Sequence, residues 1–470
     1  MSSIRRNFFY NSLYQVVAII VPLIVTPYIS RTLGPGNIGQ YSYYHTISHY
    51  FVLLAMLGIN NYGNRSIAVA RSQVSRVDTI FSEIFFFQLC TSLISLILYF
   101  LLLWFVLPNK LLAVCELLYI ASAFFDINWL FCGLEDFKST AIRSVFVKMI
   151  STMLIFAFVK VENDLVIYAL ICSGMFLMSN FTLWPMLKKH KIHLVRCGFH
   201  DIFKHLKGIC VLFIPLLGVS LYKYMDKLML GIISGNVEVG LYESAEKLIN
   251  VPVSLIAALG SVMLPRISNL MGNGKKEDCE KYMRISILFA VALSTAMACG
   301  IVAISGEFVP LFYGGGYDKC EPLIALLMLS TVFLAVGNVV RTQFLIPGNF
   351  DKVFILSIFL GAIVNLVLNS LLIPAFDSVG ASVATVFAEI AVCGYQVCFL
   401  RKHMRILGYL FESLPFVVCS IVMMLVVSRV SFSVGESFVD LILKIGLGCI
   451  VYGILLFFIL YFKKVFKRMN

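Results

Sequence analysis

Apolar residues along this chain fall into blocks of about twenty, separated by short polar or glycine- and proline-bearing segments. A helical block of that length, rising about 1.5 Å per residue, crosses the hydrocarbon core of a bilayer. Barrel strands would instead alternate apolar and polar positions in short segments. The pattern predicts an all-α polytopic membrane protein of about fourteen transmembrane helices. Their approximate limits are 7–29, 41–62, 79–106, 111–132, 142–159, 164–187, 208–233, 240–264, 285–305, 321–346, 353–373, 379–400, 409–428 and 440–462. Arg5 and Arg6 precede an apolar stretch reaching about Ile29 without a small-residue cleavage site, which predicts a first span and not a cleaved leader. Composition agrees, with 60% hydrophobic and 13% charged residues over 470 positions.

The positive charges set an orientation. With the amino terminus inside, the inner segments hold 26 lysines and arginines and the outer ones only Arg31, Lys110, Lys160, Lys319 and Arg429. That bias predicts both termini in the cytoplasm. It also accounts for most of the +12 net charge, so no nucleic-acid partner is implied. The basic stretch 188–207 reads as a topology signal in contact with anionic membrane lipids.

The same stretch divides the chain, with six expected spans before it and eight after. A shift of 201 residues lays "LGPGNIGQYS" (33–42) over "SGNVEVGLYE" (234–243), pairing Gly34 with Gly235, Gly39 with Gly240 and Tyr41 with Tyr242. The expected organisation is a six-helix bundle over 1–187, a basic linker over 188–207, a second bundle over 208–405, and two further helices with a basic tail over 406–470. An even number of spans gives both copies one orientation, and transporters built this way bind substrate between their halves.

Six basic residues remain inside the expected spans: Lys148, Lys223, Lys227, Lys247, Arg341 and Lys444. Lys148, Arg341 and Lys444 lie near span ends, where snorkelling explains them, although for Arg341 a functional role is equally open. Lys227 and Lys247 fall roughly 10 Å below the outer end of their helices, and Lys223 roughly 15 Å below it. A charge at such depth costs about 2.5–3.5 kcal/mol, which disfavours facing lipid. One reading is a self-satisfied network, with Asp226 bridging Lys223 and Lys227 and Glu246 pairing with a lysine. The other is a polar cavity in which the lysines meet an anionic headgroup, for which mobile point charges are suited. Glu389, near mid-membrane, is a candidate for ion coupling, and Asp126 and Glu83 are weaker ones.

"YSYYHTISHYF" (41–51) reads as an interfacial aromatic belt, with sugar stacking as the sharper alternative. His45 and His49 have metal-ligand spacing but no third ligand nearby, so no metal site is expected. The thirteen cysteines form no disulfide or metal pattern. No phosphate-binding loop, nucleophile elbow or zinc motif argues for an enzyme or a cofactor. Uphill transport would then draw on an ion gradient such as protons or sodium, on membrane potential or on substrate supply.

Three segments carry a family resemblance: "VPLIVTPYISRTLGPGNIGQYSYY" (21–44), "DKLMLGIISGNVEVGLYESAEKL" (226–248) and "NLVLNSLLIPAFDSVGASVATVFAE" (365–389). The chain resembles the polysaccharide transport family, the Wzx-type oligosaccharide repeat-unit flippases of the multidrug/oligosaccharidyl-lipid/polysaccharide exporter superfamily. The resemblance implies a MATE-like fold and a substrate that is an undecaprenyl-diphosphate-linked glycan crossing a bacterial plasma membrane. It also implies work alongside a polysaccharide polymerase and chain-length machinery. Arg31, Asp226, Gly240 and Tyr242 match family positions, and Lys223 and Lys227 lie in the same motif region. Lys223, Lys227 and Lys247, assisted by Arg31 and Arg341, are the expected diphosphate contacts; Asp226, Glu246 and Glu389 are the expected ion-pair or coupling residues. The rival readings are a lipid-linked peptidoglycan precursor flippase, a drug/cation antiporter of the same superfamily, and a glycan polymerase or ligase.

Overall fold

The computed structural model describes residues 3–71, 74–432 and 437–469. Every regular element among them is a helix. In chain order the α-helices are α1 Ser3–Met56, α2 Ile59–Ala70, α3 Val74–Phe105, α4 Lys110–Ala121, α5 Asn128–Gly133, α6 Phe137–Phe158, α7 Leu165–Phe181 and α8 Trp184–His190. They continue as α9 Phe199–Phe203, α10 Leu206–Ile233, α11 Asn236–Gly272, α12 Lys276–Phe312, α13 Cys320–Val340, α14 Asp351–Leu400, α15 Ile406–Arg429 and α16 Ser437–Met469. Eleven helical stretches of the described residues are long and apolar enough to cross a membrane. One of them is α14, which Asp377 breaks into two arms at φ 51°. Gly34 likewise breaks α1 into two arms. Both breaks fall where the sequence places the end of one span and the start of the next. The side chains of Arg5 and Arg6, and residues 433–436 before the last expected span, lie outside the described set.

The chain forms two compact units, Met1–Tyr224 and Met225–Asn470. The division falls inside α10 and not in the basic 188–207 stretch, because the first turns of α10 pack on α2. Gly208 lies directly against the Tyr62 ring, a closeness no larger residue permits. In unit 1 α1 packs against α3, α4 and α6, and α4 against α7. Its core gathers Phe81, Phe85, Phe87, Trp129 and Phe131. The buried polar groups there answer one another, as an apolar solvent demands: Gln88 accepts from Trp129 Nε1 at 3.0 Å and donates to the carbonyls of Ala123 and Asp126. In unit 2 α12 packs against α13 and α15, and α13 against α11 and α14.

Each unit contains the same turn. Gly34 has φ 73°, ψ 169° and Gly235 has φ 89°, ψ 178°, conformations closed to most L-residues. A helical arm leaves each glycine, and its first turn is pinned to a distant loop. Asn37 Nδ2 donates to the Glu162 carbonyl at 2.9 Å. Glu238, the corresponding residue of unit 2, accepts from the Ser378 backbone at 3.2 Å and pairs with Lys319 at 2.7 Å.

Candidate functional site

The last turns of α10 and helix α11, both in unit 2, meet through charge. Lys227, buried on α10, places Nζ 2.5 Å from Glu243 and 2.7 Å from Glu246 of α11. Three-residue spacing puts the two carboxylates on one helix face, so a single ammonium takes both. Glu243 also reaches Lys247, one turn further on, at 3.5 Å. The cluster is closed around Lys227 and opens outward at Lys247, whose side chain is 35% exposed.

Asp226 turns to a different set of partners, since successive helix residues diverge by about 100°. Its Oδ1 accepts from Asn365 Nδ2 at 2.9 Å and Asn369 Nδ2 at 2.6 Å. Its Oδ2 accepts from the Tyr242 hydroxyl at 2.7 Å and the Thr385 hydroxyl at 2.8 Å. Four neutral donors surround a buried carboxylate, each bond to the charged group worth about 1.5–3 kcal/mol. Asn365 and Asn369 lie on the first arm of α14 and Thr385 on the second, so one aspartate ties both arms to α10. The expectation that Asp226 bridges Lys223 and Lys227 is therefore corrected: the amides and hydroxyls claim its oxygens. Glu246 does pair with a lysine, Lys227.

Lys223 lies one turn before Lys227 on α10, exposed, with Nζ 5.6 Å from the Tyr224 ring centroid. Among the described residues it forms no ion pair. Arg341 opens a five-residue π-helical turn, Arg341–Leu345, with its guanidinium 5.8 Å from the Phe354 ring. No ion pair among the described residues joins it to the Lys227 cluster. Arg31 is exposed on α1 just before Gly34. Glu389 is buried on α14 one turn beyond Thr385. Within unit 2 the structure thus gathers Lys227, Lys247 and Glu246 with Glu243 and places Asp226 in a separate cage.

Three other readings change. Lys444 does not snorkel; it is buried and paired with Glu307. Lys148 lines a cavity of about 430 Å³ in unit 1 together with Asp126 and Arg143. The 41–51 aromatic stretch forms no belt, because its rings turn into unit 1. Tyr41 packs edge-on against Tyr168 at 4.8 Å, and His45 stacks on Tyr119 at 4.6 Å with Nδ1 3.1 Å from Glu116. Glu116 also accepts from Ser173 at 3.0 Å. His49 bonds the Tyr119 hydroxyl at 3.1 Å, so the two histidines answer to protein groups. Sequence reasoning missed the Asp226 cage and the Glu116 cluster. The signal for the first was present: two asparagines one turn apart in an otherwise apolar run.

The polysaccharide biosynthesis protein family is matched by residues 4–271, and the MatE family by residues 212–371. A curated relative from Escherichia coli (strain K12), "Putative O-antigen transporter", is 24% identical over 85% of this chain and 97% of its own length. Lipid II flippase MurJ of Bacillus subtilis (strain 168) is 27% identical over 39% of this chain and 33% of its own. Among solved structures, lipid II flippase MurJ in an inward closed conformation superposes with a TM-score of 0.73 at 15% identity, covering 97% of this chain and 100% of that one. An inward-facing multidrug resistance MATE family transporter gives a TM-score of 0.62 at 15% identity, covering 84% of this chain and 95% of that one. The fold is MATE-like, and the chain, matched over more than half its length, belongs to the polysaccharide biosynthesis protein family.

Proposed function

We propose that this protein is a flippase that carries an undecaprenyl-diphosphate-linked oligosaccharide repeat unit across a bacterial plasma membrane by alternating access, for capsule, O-antigen or exopolysaccharide assembly. The observation that carries the reading is likeness along nearly the whole length of a relative named for O-antigen transport. In this reading both termini are cytoplasmic, the arms of α1 and α14 count as separate spans, and a polymerase and chain-length machinery take up the product. Lys223 is the first candidate for the diphosphate, being exposed and without an ion pair among the described residues. Lys247 is the second, with Arg31 and Arg341 as further contacts. Lys227, already held by two carboxylates, serves to join α10 to α11. Glu389 keeps the coupling role, for a proton or sodium.

Complementation in a strain lacking its oligosaccharide flippase tests this. Wild-type protein should restore surface polysaccharide; Lys223→Ala should lower it at unchanged protein level, and Lys223→Arg should recover it. Full activity of Lys223→Ala removes the diphosphate assignment. The whole-length likeness to the MurJ fold favours a second reading, flipping of a lipid-linked peptidoglycan precursor. Rescue of a strain lacking that flippase, without rescue of the first, would select it.

A further inference from the structure

Unit 1 contains a second cavity, of about 700 Å³, where α2 and the start of α3 meet the link between α9 and α10 and the start of α10. The distribution of lysine and arginine assigns this end to the cytoplasm. Its lining includes the cations Arg65, Arg76, Lys204 and Lys207 and the apolar side chains Val69, Ile80 and Val211, each one helical turn from a cation. Val69 is 70% and Val211 59% exposed, an apolar wall left open. The side chains beneath are fixed. His205 is buried, bonded through Nδ1 to the Tyr62 hydroxyl at 2.8 Å and through Nε2 to Glu83 at 2.9 Å. Glu83, also buried, takes Lys204 Nζ at 2.5 Å. Glu83 is therefore committed to Lys204 and His205, and Asp201 lies 3.8 Å from Lys204 Nζ as well. Arg65, Arg76 and Lys207 have no ion pair among the described residues.

We propose that this cavity binds the net-negative phosphate headgroup of a membrane lipid, the cations holding the phosphate and the apolar wall receiving the first carbons of its chain. Three uncommitted cations around one hollow repel one another until an anion enters. Guanidinium groups suit phosphate because they offer paired donors in a plane. An apolar wall beside them is useless to inorganic phosphate and useful to a lipid. The site uses none of the residues of the Lys227 and Asp226 clusters, and the inference does not rest on the transported substrate.

The test uses the full-length protein in detergent, with bound lipid counted by native mass spectrometry. Phosphatidylglycerol, undecaprenyl phosphate and zwitterionic phosphatidylcholine are titrated separately. Saturable binding of either of the first two, with phosphatidylcholine much weaker, is expected; which one binds tells bulk lipid from polyprenyl carrier. Arg65→Ala/Arg76→Ala/Lys207→Ala should weaken binding at least about tenfold. A control removing three exposed lysines of unit 2 (Lys275→Ala/Lys276→Ala/Lys281→Ala) should bind as wild type. Val69→Asp/Val211→Asp should weaken lipid binding through the wall alone. Equal affinity of the triple variant and wild type for both acidic lipids overturns the proposal, as does an equal loss in the control.

Discussion

Gly34 and Gly235 hold nearly the same backbone, yet the helical arms that leave them end in different chemistry. In unit 1 the pin is an amide, Asn37 on the Glu162 carbonyl; in unit 2 it is a carboxylate, Glu238, engaged by Ser378 and Lys319. One turn later Tyr41 offers its ring to Tyr168, whereas Tyr242 offers its hydroxyl to Asp226. The turn and its attachment are mechanical and common to both units. At these arms the charged contacts lie in unit 2 and the ring contact in unit 1.

The largest break in that comparison comes from Glu243→Gln/Glu246→Gln, which strands Lys227. A buried charge left without its partners costs about 3–5 kcal/mol, visible as a much lower thermal midpoint in detergent. Glu116→Gln in unit 1 should cost about 1 kcal/mol, because His45 and Ser173 can still bond an amide. Equal losses would erase the distinction between the units. Next is Asp226→Ala, expected to cost about 2–3 kcal/mol by leaving buried donors unmet. Asp226→Asn should be milder, since the Tyr242 and Thr385 hydroxyls can turn round and accept. If the two variants melt alike, the cage is not what the carboxylate supplies.

Gly34→Ala and Gly235→Ala sharpen the shared part. Neither site has an atom within 4 Å of an added methyl, so only the backbone term remains, about 1–2 kcal/mol in each. Clearly unequal midpoints would mean that the two turns are not equivalent. The smallest effect is an alkaline pH dependence at the Glu238 pin of unit 2. Burial works against the charge of Lys319, but Glu238 and Asp377 outweigh it and raise its pKa. That contribution is complete below the ordinary lysine value of about 10.4 and fades as pH rises through the higher folded value. Hydrogen exchange near Glu238 should therefore quicken in strongly alkaline solution while exchange near Asn37 shows no matching step.

Much of the fold was legible because apolar length is a one-dimensional property. Gly34, Gly235 and the spacing of Glu243, Glu246 and Lys247 could be read the same way. Depth along a span followed from rise per residue. Direction around the helix did not, and direction decides partners. Asp226 and Lys227 are neighbours in sequence, yet the first meets neutral donors of α14 and α11 and the second two carboxylates of α11. Lys444 reads as an end-of-span lysine until Glu307, 137 positions earlier, is found beside it. The 41–51 rings were misplaced for the same reason, since a tyrosine near a span end can face headgroups or turn inward.

Asp377 offers a practical handle. Its φ of 51° and ψ of −131° belong to a region glycine occupies freely and other residues enter at a cost of order 1–3 kcal/mol. What it gives in return is one partly exposed contact with Lys319 at 3.5 Å, of a kind worth at most about 1 kcal/mol. Asp377→Gly is thus expected to raise the melting temperature modestly, and would give experimenters a hardier protein for purification without disturbing any residue assigned to the cargo.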